Sequence, residues 1–213
     1  TQSKLTGKEI AFGGDLTRSL KQDNYYVLET EAQGFTQWVP YDGQLRLQAF
    51  SHLAGGADCV EYWHWHSIHN SFETYWRGLL SHDFAENKTY REAVVIGNEM
   101  KRLGSHLLHL KKENKAAIMV SNEALSGLKW FPIQGSPEQK RSYNDVVRWI
   151  YDALYEMNVE CDLVSPEAEN LEDYKDVDPS RALLCVGGDA SQDQKIYAER
   201  RMSSGYVQDC LCQ

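Results

Sequence analysis

Three groups of residues carry side chains that could do chemistry. The first is Glu29 in YYVLETEAQGFTQW, residues 25–38, a carboxylate that closes an apolar run and is followed by Trp38. A carboxylate at the carboxyl end of a buried strand is either a paired structural acid or a group aimed into a cleft, because an unpaired buried charge is costly. The second is Glu73 in NSFETYW, flanked by Phe72, Tyr75 and Trp76. A glutamate in a loop is ordinarily solvated. A glutamate among aromatic rings can instead accept hydrogen bonds from sugar hydroxyls while a ring stacks on the apolar face of the sugar. The third is HWHSIH, with His64, His66 and His69. On a strand His64 and His66 share a face, so a metal site is conceivable, but the spacing matches no metalloenzyme motif, and packed or hydrogen-bonded histidines are the better reading.

The clustering of aromatic residues strengthens the first two groups. Of six tryptophans, Trp38, Trp63, Trp65 and Trp76 lie between residues 38 and 76. Each alone reads as core packing, whereas together, beside carboxylates and histidines, they suggest a polar, aromatic-walled pocket.

The elements that must position these groups follow from periodicity. Tyr25 to Glu29 reads as a strand buried on both faces. GQLRLQAFSHLAGGAD predicts a helix with Leu47, Phe50 and Leu53/Ala54 on one face, stopped by Gly55 and Gly56. DCVEYWHW is the next strand, and HSIHNSFETYWRGLLSHDF a long loop. A helix from about Thr89 to the lysines at 111–112 carries a stripe of Ala93, Ile96, Met100, Leu103, Leu107 and Leu110. The order strand, helix, strand, helix predicts two β/α units of a parallel sheet, with the chemistry-bearing residues after the carboxyl ends of the strands, where such folds place their sites.

From about residue 115 a second α/β unit begins. KAAIMVS is a strand, Asn122 to Trp130 a helix and 132–142 a loop. YNDVVRWIYDALYEMN forms a helix with Val146/Val147, Ile150, Leu154 and Met157 on one face, and VECDLVS and ALLCVG are further strands, a doubly wound pattern. The expected division is 1–114 and 115–213. VGGD at 186–189 lacks the GxGxxG spacing of a nucleotide site.

Composition bounds the function classes. The 213 residues are 42% hydrophobic and 25% charged, as in globular proteins, with a net charge of −9. That charge and a pI near 5.3 argue against nucleic-acid partners. No apolar run reaches the roughly 18 residues of a membrane span. Five cysteines without framework spacing suggest a reduced, cytoplasmic setting, and the Cys210/Cys212 pair cannot fill a four-ligand metal site. No motif calls for a cofactor. The opening TQSKLTGKEI has neither signal-peptide character nor an initiator Met, as expected of the inside of a longer chain.

Taken together, LETEAQGFTQW, GQLRLQAFSHLAGGAD, VEYWHWHS and FETYWRGLLSHD resemble glycoside hydrolase family 42, β-galactosidases built on a (β/α)8 TIM barrel. NEALSGLKWFP and YNDVVRWIYDALYEMNVECD resemble that family's second domain, an α/β module that associates subunits into trimers. The resemblance covers roughly residues 15 to 185. It implies that residues 1–114 are the last two β/α units of the barrel. Residues 115–213 would then be an incomplete trimerisation-type domain. Glu29 corresponds to the catalytic nucleophile, Trp38 to the wall of the galactose subsite and Glu73 to the acceptor of galactose hydroxyl hydrogen bonds. Trp76 stands where better-studied members carry a sugar-contacting histidine, and the Glu29–Trp38 spacing is one residue longer than theirs.

A retaining glycosidase needs a nucleophile and an acid/base about 5 Å apart. The resemblance places the acid/base glutamate in an Asn-Glu pair on the fourth barrel strand, before residue 1; Asn122-Glu123 lies in the second unit and cannot serve. The expected substrate is a terminal β-D-galactoside, hydrolysed by a homotrimeric full-length enzyme. The isolated chain is expected to be inactive and poorly stable, with an inactive sugar-binding or oligomerisation remnant as the alternative. The tail after about residue 185, GGDASQDQKIYAERRMSSGYVQDCLCQ, departs from the family's apolar strand and helix, and a frameshift in the gene would account for it.

Overall fold

The computed structural model describes residues 7–33, 39–74, 76–112, 114, 116–131, 142–167 and 182–186. The chain divides into two compact units, Thr1–Lys112 and Glu113–Gln213. In the first, α1 (Gly7–Ser19), β1 (Tyr25–Glu31), α2 (Gln44–Ala54), β2 (Ala57–Trp63) and α3 (Lys88–Leu107) alternate along the chain. β1 and β2 pair in parallel as a two-stranded sheet. Among the described residues this sheet does not close into a barrel.

One face of the sheet is covered by helices. Leu45 and Ala49 of α2 and Ile96 of α3 are buried together, with Tyr62 of β2 and Ala93 and Met100 of α3 packed against them. Burial pushes the Tyr62 phenol up to about 12, with the Glu92 charge adding to it. The buried stripe of α3 falls where its periodicity predicts, but the helix ends at Leu107, so Leu110 lies beyond it. α2 spans the predicted stretch with a different face inward. Leu47 is exposed, because it lies about 200° around the helix from Leu45. α2 hands over to β2 through Gly56, whose φ of 100° is open to glycine at little cost.

The unit is also tied together by buried charge. Asp15 of α1 and Lys112 after α3 form an ion pair at 2.6 Å, with side chains 3% and 10% exposed. Asp58, at the start of β2, accepts from Asn24 Nδ2 and from the backbone N–H of His109, both at 3.0 Å. Desolvation works against the Asp58 carboxylate, yet these hydrogen bonds outweigh it and hold its pKa below the usual carboxylate range.

The second unit contains β3 (Ala116–Val120), α4 (Asn122–Trp130), α5 (Tyr143–Glu156), β4 (Cys161–Val164) and β5 (Ala182–Val186). Its sheet is parallel in the order β4-β3-β5, so the first strand is central and the chain crosses from one side of it to the other. Such a central strand is apolar throughout, and Ala116 to Met119 are buried. Helix starts are capped by side chains: Ser121 accepts from Ala124 N, and Ser142 and Asp145 form a reciprocal capping box. On α5 the buried residues are Tyr143, Val147, Tyr151 and Leu154. Met157, expected on that face, follows the helix and is exposed, since the cap turns the chain away. The loop expected at 132–142 falls outside the described residues except for Ser142, as does the tail after residue 186.

Candidate functional site

β1 is not buried on both faces, and Glu29 does not end it. The strand continues to Glu31, and its register against β2 shifts between Val27 and Thr30. Val27 pairs with Val60 and Thr30 with Tyr62, so Leu28 and Glu29 together face the single residue Glu61. This is a β-bulge, a device that re-aims side chains beside functional sites. Val27 and Thr30 keep to the helix-covered side, where Gln48 of α2 donates to Thr30 Oγ1 at 3.0 Å. The bulge residues are left in the open: Leu28 is 66% exposed and Glu29 is exposed.

Cys59, Glu61 and Trp63 alternate along β2 opposite the bulge, and the Cys59 thiol contacts Glu61 Oε1 at 3.7 Å. Burial and then the Glu61 charge push that thiol up, so it stays protonated. The open face therefore presents Glu29, Glu61 and Trp63 near the carboxyl end of a parallel pair. Glu61 is a contributor that sequence reasoning did not single out, and Trp63 one that it counted only within the tryptophan cluster. Their alternation with Val60 and Tyr62 was the available signal.

After β2 the chain folds back along its own exit. Leu79 N donates to His64 O at 2.7 Å and Leu80 N to Trp65 O at 2.9 Å, while Ser67 N donates to Leu80 O at 3.1 Å. The approach is so close that a Cβ on Gly78 would stand 2.6 Å from His64 O and 2.5 Å from the His66 carbonyl carbon. Glu73 sits exposed at the tip of this excursion. Trp76 N donates to Glu73 O at 3.0 Å, and Trp76 is partly buried. The Glu73 charge acts on His64 at the end of β2. Desolvation, and then the charge of His66, lower the His64 pKa, and Glu73 works in the opposite direction.

The histidines pack as rings. His66 and His69 lie 5.7 Å apart, His69 stacks on His82 at 5.7 Å, and Phe84 contacts both His66 and His69. Among the described residues no group of three His, Cys, Asp or Glu side chains is arranged to hold a metal ion. Nor is any described helix long and apolar enough to cross a membrane. Trp38 lies outside the described residues. The segment that follows it is held by Lys88 at the start of α3, whose Nζ donates to Pro40 O at 2.8 Å.

A parallel β/α sheet covered by helices on one face, with Glu29, Glu61 and Trp63 on the other, defines a class, the α/β proteins. Residues 1–103 match the glycoside hydrolase family 42 model, described as β-galactosidase. The β-galactosidase BgaH of Haloferax lucentense is 32% identical over 188 residues, which span 86% of this chain and 26% of that protein. The crystal structure of a β-galactosidase from Bacillus circulans sp. alkalophilus aligns with a TM-score of 0.69 at 28% identity, over 81% of this chain and 26% of that one. The β-galactosidase of the psychrophilic Marinomonas ef1 shares the fold at a TM-score of 0.73 and 20% identity, over 91% of this chain and 30% of that one. Over residues 1–103 the chain belongs to glycoside hydrolase family 42, and it spans about a quarter of the length of the relatives it matches.

Proposed function

We propose that the chain is part of a retaining β-galactosidase and supplies its nucleophile and part of its galactose subsite. The first unit is then the last two β/α units of the (β/α)8 barrel, and the second is the module through which three subunits associate. The observation that carries this reading is the bulge at Leu28/Glu29, which turns a carboxylate onto the open face near the strand end, within the segment that matches the family.

In this reading Glu29 attacks the anomeric carbon of a terminal β-D-galactoside as the aglycone oxygen leaves, and water later releases galactose with retention. Trp38 forms the wall under the sugar ring, Glu73 accepts hydrogen bonds from galactose hydroxyls, and Trp76 flanks them. The acid/base glutamate belongs to an earlier barrel strand, so the 213-residue chain alone does not turn over an ordinary galactoside.

A substrate whose leaving group needs no proton separates the two roles. A 2,4-dinitrophenyl 2-deoxy-2-fluoro-β-galactoside should transfer its fluorosugar to Glu29, releasing dinitrophenolate. Peptide mass spectrometry should then find the adduct on Glu29 and lose it in Glu29→Gln. Labelling of another carboxylate, or none at all, would overturn the assignment. Steady turnover of a p-nitrophenyl galactoside by the chain alone would show that the acid/base is present here after all.

A further inference from the structure

We propose that Gln33, two residues beyond β1, is a positioning residue that sets the Glu73-bearing excursion against the strand that carries Glu29. The inference rests on the galactosidase reading, which gives Glu73 its role.

Gln33 Nε2 donates to Gly78 O at 2.7 Å and reaches Leu79 O at 3.5 Å. Through it, the exit from β1 grips the returning arm of the loop after β2. That arm is held from other sides by short polar side chains. The Ser67 hydroxyl, buried, donates to Leu80 O at 2.9 Å and accepts from Gly78 N at 3.1 Å. Asn87 Nδ2 donates to Leu79 O at 3.0 Å and to Ser81 Oγ at 2.9 Å, while its Oδ1 caps α3 by accepting from Tyr90 N. Ser67 and Asn87 belong to the excursion and to the helix after it. Gln33 is the member of this set that comes from the β1 side, so it alone of the three links the arm to the strand carrying Glu29.

The chemistry of the contact is specific. Both acceptors are backbone carbonyls, so the position needs a donor. Gln33→Ala removes the donor. Gln33→Glu keeps the size but, when ionised, sets a carboxylate against carbonyl oxygens, and regains a donor only on protonation. That difference gives a pH signature that loss of packing does not produce.

The test compares amide hydrogen exchange at Leu79 and Leu80 in the wild-type chain and both variants, with the Ala32 amide on the β1–β2 pair as reference. Binding of methyl β-D-galactoside is titrated on the same samples. Gln33→Ala should speed exchange at Leu79 and Leu80 about tenfold, as expected for a lost hydrogen bond, with Ala32 unchanged. Gln33→Glu should match it at neutral pH and return toward wild type as the pH falls through the carboxylate range. Galactoside affinity should fall by about the same factor as exchange rises.

Unchanged exchange in Gln33→Ala, or a Gln33→Glu response that ignores pH, overturns the anchor. Faster exchange with unaltered affinity overturns the link to the sugar. A wild-type chain that binds no galactoside sinks the galactosidase reading and the link with it, while exchange alone then decides the anchor.

Discussion

The two units use the same parallel β/α grammar to opposite ends. In the second, Ala116 to Met119 of β3 and Cys161 to Val164 of β4 are buried residue by residue. In the first, the β1–β2 sheet buries the side that meets α2 and α3 and leaves the other to Tyr26, Leu28, Glu29 and Trp63. A strand covered on both sides contributes stability. A strand covered on one side can present chemistry, and its stability must come from elsewhere. In the first unit that source includes buried charge, with Asp15 paired to Lys112 and Asp58 held by Asn24 and His109. The second unit uses a buried polar pair too, Asn114 Nδ2 donating to Asp162 Oδ1 at 2.7 Å, but beside apolar strands.

Substitution can break this contrast. Ile118→Ala, at a fully buried position of the central strand, should cost the second unit about 4 kcal/mol, measured by amide exchange of β3 and β4. Lys112→Met removes the buried Asp15–Lys112 ion pair and should cost the first unit about 3 kcal/mol, measured by amide exchange of β1 and β2. If the two losses were exchanged between the units, the division between apolar and charge-based stability would fall.

A pH series sharpens the point. The Asp58 pKa is depressed by folding, so its contribution is complete above its unfolded pKa of about 4 and is lost as the pH falls below it. The first unit should therefore lose stability on acidification below about pH 4, and Asp58→Asn should flatten that slope in urea titrations at successive pH values. The smallest effect is expected at the open face. Leu28→Ala should shift stability by less than about 0.5 kcal/mol, and a cost near that of Ile118→Ala would mean that this face is covered.

How much could be read beforehand depended on whether a residue's partner was near in sequence. α4 was legible to the residue, Asn122 to Trp130, and Ser121 caps its start. α3 was legible because its stripe repeats over five turns, long enough to fix the face. α2 was legible as a helix but not in its facing, since eleven residues with Leu45, Leu47 and Phe50 are compatible with more than one apolar side. Glu29 stood out as a carboxylate at the end of an apolar run, but its true position inside the strand depended on a register shift against β2. Gln33 gave no signal at all, because its partners are carbonyl oxygens found in every residue, brought to it by a fold-back some forty-five positions later.

By itself, then, the amino-acid sequence determined what depends on local pattern and on residue type: the order of strands and helices from β1 onward, though not α1 before it, the family resemblance, and which carboxylates and rings are candidates for the site. Tertiary structure alone decided the bulge that turns Glu29 outward, the approach of the 78–80 arm to His64 and His66, and the Gln33 contact that joins them. These depend on register and on close backbone approach. Backbone groups are chemically alike along the chain, so only the folded chain selects which of them meet.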